Sequence, residues 1–171
     1  GDGVDANGPI TMSNGTLIVD GPTENNNGAL DFSSFQITGG LLVAAGSSGM
    51  AVAPDAPSTQ NTIMANFTAS LPAGALVNIT STSGESIVTF APQRTWQSFV
   101  FSSPSLKTGA SYVISTGGSS TGTVTNGLYS GGQYQDGKPV ATVSISRVLT
   151  LYGTAGSGGM GGRPGGPGGR R

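Results

Sequence analysis

Residues 3 to 21, GVDANGPITMSNGTLIVDG, align with residues 28 to 46, GALDFSSFQITGGLLVAAG, at a period of about 25 residues. Ile10 falls on Phe35, Met12 on Ile37, Gly15 on Gly40, Leu17 on Leu42, Ile18 on Val43 and Gly21 on Gly46. With a one-residue slip, Val4-Asp5 falls on Leu30-Asp31. Each unit reads as short strand, Gly turn, short strand, Gly turn, and neither can bury its apolar side alone. Such a repeat constrains the chain to stack equivalent strands side by side, and it predicts two coils of a parallel β-solenoid over residues 1–55. The same residues also read as two similar Gly-rich hairpins. About three stacked units are usually needed for stability, so two coils require capping by the rest of the chain or continuation by another chain.

From about residue 60 the pattern changes to longer strands with ordinary turns. Candidate strands are Thr62 to Thr68, Ala75 to Ser81, Ser86 to Phe90, Trp96 to Phe101, Ser111 to Thr116, Thr121 to Tyr129 and Val140 to Tyr152. Ser83-Gly84 and Asp136-Gly137 mark hairpin turns, the second with type I′ chemistry. Seven strands at this spacing predict an immunoglobulin-like β-sandwich over residues 56–152. Leu106, Gly109 and Tyr112 in LKTGASY fit the corner of such domains, where a Tyr hydroxyl bonds back to the backbone. The competing reading continues the solenoid through irregular coils. Residues 153–171 hold ten Gly, two Pro and three Arg and cannot offset their ordering entropy with buried surface, so a flexible or polyproline-like tail is expected.

Thirty Gly, 22 Ser, 19 Thr, nine Asn and ten Pro make up more than half of the 171 residues, which excludes a helical bundle. With no Cys and no His, disulfides, zinc-thiolate sites and Ser-His-Asp or Cys-His enzymes are excluded. No apolar run approaches the roughly 18 residues of a membrane span. The chain opens at Gly1 with no signal peptide, as expected of a processed or excised segment. The net charge of −1 hides a dipole: residues 1 to 93 carry seven acids and no base, and residues 94 to 171 carry seven bases and one acid, Asp136. The Gly-Arg end lacks a strict RGG repeat with interleaved aromatics, so no nucleic-acid partner is expected.

Stacking would set Asp5 beside Asp31, about 4.8 Å apart along the stack, where two carboxylates repel unless a cation bridges them or one takes a proton. Ca²⁺ is the candidate cofactor, with Asp2, Asp5, Asn7 and Asp31 as its side-chain ligands. Alternatively, these Asp and Asn residues serve turns. For sugar binding, the aromatic candidates are Tyr129 and Tyr134, which bracket SGGQ, and Trp96, although Trp96 alternates with Val100 in the manner of a core residue. Asn14, Asn66 and Asn78 stand in N-x-S/T sequons and are candidate glycosylation sites. Eight acids without other catalytic groups argue against an enzyme.

The runs GDGVDANGPITMSNGTLIVDGPT, GALDFSSFQITGGLLVAAGSSGMAVAP, STQNTIMANFTAS and VTFAPQRTWQSFVFSSPSLKTGASYVISTGGSSTGTVTNGLYSGG resemble the C-terminal part of bacterial carbohydrate-binding domain-containing proteins. These are related to secreted β-helix proteins that bind cellulose and polygalacturonate. The resemblance implies a right-handed parallel β-helix, similar to pectate lyases, that binds calcium and plant-type polysaccharide without cleaving it. Family members carry further upstream GDG-type coils, so only Asp2, Asp5 and Asp31 are carried over as ligands. The expectation is a non-catalytic, extracellular or cell-surface bacterial polysaccharide binder. Its alternative is a structural subunit that self-associates head-to-tail into a filament through strand edges and opposite charge.

Overall fold

A computed structural model of the protein describes residues 2–154. Among them the secondary structure is all β. In chain order the strands are β1 (Val4–Met12), β2 (Thr16–Asp20), β3 (Leu30–Ile37), β4 (Leu41–Gly46), β5 (Thr62–Leu71), β6 (Val77–Ser81), β7 (Ser86–Phe90) and β8 (Trp96–Ser102). They continue with β9 (Ser111–Thr116), β10 (Ser119–Ser120), β11 (Thr123–Thr125), β12 (Leu128–Ser130), β13 (Tyr134–Gln135), β14 (Lys138–Ser144) and β15 (Leu149–Tyr152). Among the described residues, no helix is long and apolar enough to cross a membrane.

The repeat appears as two parallel ladders. β1 pairs with β3, setting Val4 opposite Leu30, Asp5 opposite Asp31, Ile10 opposite Phe35 and Met12 opposite Ile37. β2 pairs with β4, setting Leu17 opposite Leu42 and Ile18 opposite Val43. The one-residue slip is a bulge: between Ala6 and Pro9, β1 uses one more residue than β3. β1 is not bonded to β2, nor β3 to β4, which rules out the hairpin reading. The parallel pairing stops at two units, because the far edge of β4 takes β8 in antiparallel sense. Two parallel steps do not by themselves amount to a β-helix.

β2 and β4 belong to a five-stranded sheet of order β15-β5-β8-β4-β2. It faces a six-stranded antiparallel sheet of order β11-β12-β7-β6-β9-β14, and the two form a sandwich-like pair with neither sheet closed into a barrel. Alternation along the strands of the five-stranded sheet makes both of its faces apolar. Val43, Ala45, Ile63, Ala65, Phe99 and Phe101 pack against Val77, Ile79, Phe90, Tyr112 and Ile114 of the six-stranded sheet. Leu42, Ala44, Met64 and Val100 turn the other way, against Leu30, Phe35 and Ile37 of β3. Burying each large apolar side chain contributes about 1.5–3 kcal/mol, so both interfaces are substantial. The boundary expected between residues 55 and 56 therefore separates neither a sheet nor a core, since strands from both sides share each. The expected tail over 153–171 lies, from residue 155, outside the described residues.

Two expected strands are divided. Thr121 to Tyr129 breaks at Asn126-Gly127, whose φ values of 49° and 80° form the hairpin turn between β11 and β12. Val140 to Tyr152 splits into β14, on the six-stranded sheet, and β15, parallel to β5 on the five-stranded one. Asp136 has a φ of 58° but Gly137 stays outside the left-handed region, and β13 and β14 do not pair. Asp136-Gly137 is therefore a corner and not a type I′ hairpin. Ser83-Gly84 does close the β6–β7 hairpin, with Ser81 N–H donating to the Glu85 carbonyl at 2.8 Å. The Tyr112 hydroxyl accepts from Lys107 N–H at 2.8 Å and donates to the Ser105 carbonyl at 3.1 Å, fixing the corner before β9 as the LKTGASY motif suggests.

Candidate functional site

The excursion from Gly117 to Gly137 folds back over β7 and leaves a hollow of about 260 Å³. The Asn126-Gly127 turn returns β12 onto the free edge of β7, with Leu128 opposite Phe90. Gly117 and Gly118, both at positive φ, redirect the chain into β10, which pairs with β13 so that Ser120 lies opposite Tyr134. Tyr129 on β12 and Tyr134 on β13 thus line one cavity, with the Gly131-Gly132 turn between them and Ser86 and Thr89 of β7 also lining it. The Tyr134 hydroxyl donates to the Gly117 carbonyl at 2.9 Å. Its ring lies against Gly137, where any Cβ would collide with it. Burial raises the Tyr134 phenol above its ordinary pKa.

The polar lining is arranged from beneath by Asn78. Its side chain is fully buried, and Nδ2 donates towards Ser86 Oγ at 3.0 Å, Thr89 Oγ1 at 2.9 Å and the Val88 carbonyl at 3.0 Å. Ser120 Oγ accepts from Gly122 N–H at 3.2 Å. Ser86 Oγ, Thr89 Oγ1 and the Val88 carbonyl share the two hydrogens of Nδ2, and among the described residues no bond is donated by the Ser86, Thr89 or Ser120 hydroxyl, which leaves these hydrogens for a ligand. Two hollows of about 360 Å³ lie elsewhere: one is lined by Asp55, Arg147 and Leu151, the other by Gln60, Asn61 and Lys107. Neither of these has an aromatic ring in its wall.

The acidic candidates are brought together only in part. Asp5 and Asp31 are adjacent in the β1–β3 ladder, both exposed, and Asn7 is exposed two residues further along β1. Asp2 instead accepts Gly28 N–H at 2.9 Å, tying the start of the first unit to the start of the second. Three side chains on an open face fall short of the six to eight oxygens that Ca²⁺ takes, so water would complete the shell. No group of three or more Asp or Glu that could hold a metal occurs among the described residues.

Trp96 is 1% exposed and edge-on to Phe67 at 5.1 Å, so it has no face open to a sugar, which corrects its place among the binding candidates. In the folded chain Asn78, fully buried, and Asn66, 4% exposed, are out of reach of a glycosylating enzyme, whereas Asn14 sits in an exposed turn. Ser86, Thr89 and Ser120 were missed as site residues. They are three hydroxyls among many, joined only by strand pairing. No family model, no curated protein and no solved structure matches the chain.

Proposed function

We propose that the protein is a non-catalytic, extracellular polysaccharide-binding protein of bacterial type. The observation that carries this reading is the meeting of Tyr129 and Tyr134 in one cavity with Ser86, Thr89 and Ser120. Aromatic faces cover the apolar C–H face of a sugar ring, and hydroxyl donors meet its oxygens. Among the described residues no carboxylate lines the cavity, which fits binding without glycoside hydrolysis. The resemblance to secreted polysaccharide-binding proteins points the same way. On this reading the two parallel units are the end of a right-handed β-helix resting on an immunoglobulin-like sandwich. Asp5 and Asp31 are then the pair that a calcium ion would bridge, assisting by stabilising the first unit. Affinity electrophoresis in gels containing soluble glucan, xylan or polygalacturonate tests the proposal. At least one should retard the protein, with Tyr134→Ala restoring its mobility; equal mobility in every gel sinks it.

The alternative, a self-associating structural subunit, is favoured by a separate observation: β2 and β15 are the two edge strands of one sheet, and Leu151 on β15 is 58% exposed. Pairing β15 of one copy with β2 of the next would extend the sheet head-to-tail. Sedimentation at low salt over a hundredfold concentration range should then reveal growing oligomers. A constant monomer would end this reading.

A further inference from the structure

We infer that the Tyr129–Tyr134 cavity takes a single neutral sugar ring and excludes uronates. This rests on the polysaccharide-binding reading and narrows it. Among the described residues, the wall of the cavity contains no Lys, Arg, Asp or Glu. Along the chain, the nearest ionisable residues are the acids Glu85, beside Ser86, and Asp136, two beyond Tyr134, with Lys138 two further on, opposite Thr116, and none of the three lines the wall. A uronate carboxylate entering here would lose water and find no guanidinium or ammonium partner among the described residues of the wall. Charged groups are buried at tolerable cost only when paired, and carboxylate recognition characteristically uses the Arg fork.

A neutral ring meets none of these penalties. Its ring and hydroxyl oxygens accept the hydrogens left free on Ser86, Thr89 and Ser120, while the two phenol rings cover its C–H surface. The volume of about 260 Å³ lies just below the roughly 300–1,000 Å³ of sites for drug-sized molecules, which suits one ring. Calcium has no part in this contact. Asp5 and Asp31 sit on the β1–β3 layer, and the five-stranded sheet separates that layer from the sheet carrying the cavity.

Isothermal titration of the full chain with cellohexaose, xylohexaose and hexagalacturonate, each with and without EDTA, tests the inference. At least one neutral hexasaccharide should bind with an affinity indifferent to EDTA. Tyr129→Ala should weaken it about tenfold, and Ser86→Ala, which leaves Asn78 Nδ2 its acceptors on Val88 and Thr89, about fivefold. Hexagalacturonate should give no Tyr129-dependent heat. Binding of hexagalacturonate that Ser86→Ala and Tyr129→Ala both weaken overturns the neutral assignment and leaves the polysaccharide reading standing. Neutral binding that neither substitution changes removes the cavity from the site. Silence from all three sugars, and from a broad glycan array, overturns the polysaccharide reading itself.

Discussion

The two units of the repeat have nearly the same apolar pattern and different burial. In the second unit, Leu30, Phe35, Ile37, Leu42 and Val43 are at most 3% exposed. Their partners in the first unit, Val4, Ile10, Met12, Leu17 and Ile18, are only partly buried. Residue type does not explain the difference, because both sets are aliphatic, aromatic or Met. Position does: β4 lies between β2 and β8, and β3 between β1 and the segment around Ser58, whose Oγ accepts Ile37 N–H at 2.9 Å. Among the described residues, β1 and β2 have a strand neighbour on one side only. Burial in a stacked fold is therefore conferred by the next layer more than by the residue itself.

The largest effect should come from truncating matched positions in the two units. Leu42→Ala, at a fully buried site, is expected to cost about 2–5 kcal/mol, and Leu17→Ala, its ladder partner, roughly half as much. Urea denaturation of both variants measures this, and equal losses would break the contrast. A smaller effect belongs to the paired acids. Asp5→Asn should stabilise the protein in low salt by about 0.2–1 kcal/mol, since it removes a like-charge pair across a ladder. Under the calcium reading, any rise in melting temperature on adding Ca²⁺ should vanish in the Asp5→Ala, Asp31→Ala double variant; an undiminished rise would remove these residues from a metal site.

The smallest expected effect concerns Asp20, which in the second unit is replaced by the buried Ala45. Partial burial raises the Asp20 pKa above its ordinary value, opposed by the Gln93 N–H bond at 3.0 Å and by the Arg94 charge. The folded chain then holds this proton more tightly than the unfolded chain does. Stability contributed by Asp20 is accordingly lost as pH rises from the ordinary carboxylate range through the raised value. Asp20→Asn should flatten melting temperature against pH in that window, by little because the side chain is largely solvated. An unchanged slope would show that the site behaves as ordinary exposed carboxylate.

The parallel half of the fold was legible because a parallel ladder sets equivalent residues of a repeat side by side, so alignment of the sequence with itself is also the strand register. Even the slip at Val4-Asp5 had a physical counterpart in the β1 bulge. Antiparallel partners leave no such trace, and nothing in the residues alone pairs β8 with β4 or sends β15 back to β5. Periodicity also ran past Asn126-Gly127, where the residues flanking the turn continue an alternating pattern although the turn chemistry was present. The tyrosines of the cavity were visible because aromatics around a Gly-rich segment stand out. Ser86 and Thr89 come from a strand some 40 residues earlier and carry no comparable mark.

Asn78 has a consequence for how the protein can be made. The nitrogen that would carry an N-linked glycan is the same Nδ2 that approaches Ser86, Val88 and Thr89 inside the fold. Glycosylating hosts modify sequons while the chain is still entering the secretory compartment, before that side chain is enclosed. A sugar attached at this stage would have nowhere to go on folding, so each modified molecule would be held in a misassembled state. Secretion from a eukaryotic host should consequently give low yields that neither Asn78→Gln nor Thr80→Val rescues, because the first loses the Nδ2 bonds and the second the Thr80 hydroxyl that donates to Asn78 Oδ1, whereas production in a host that does not glycosylate asparagine does.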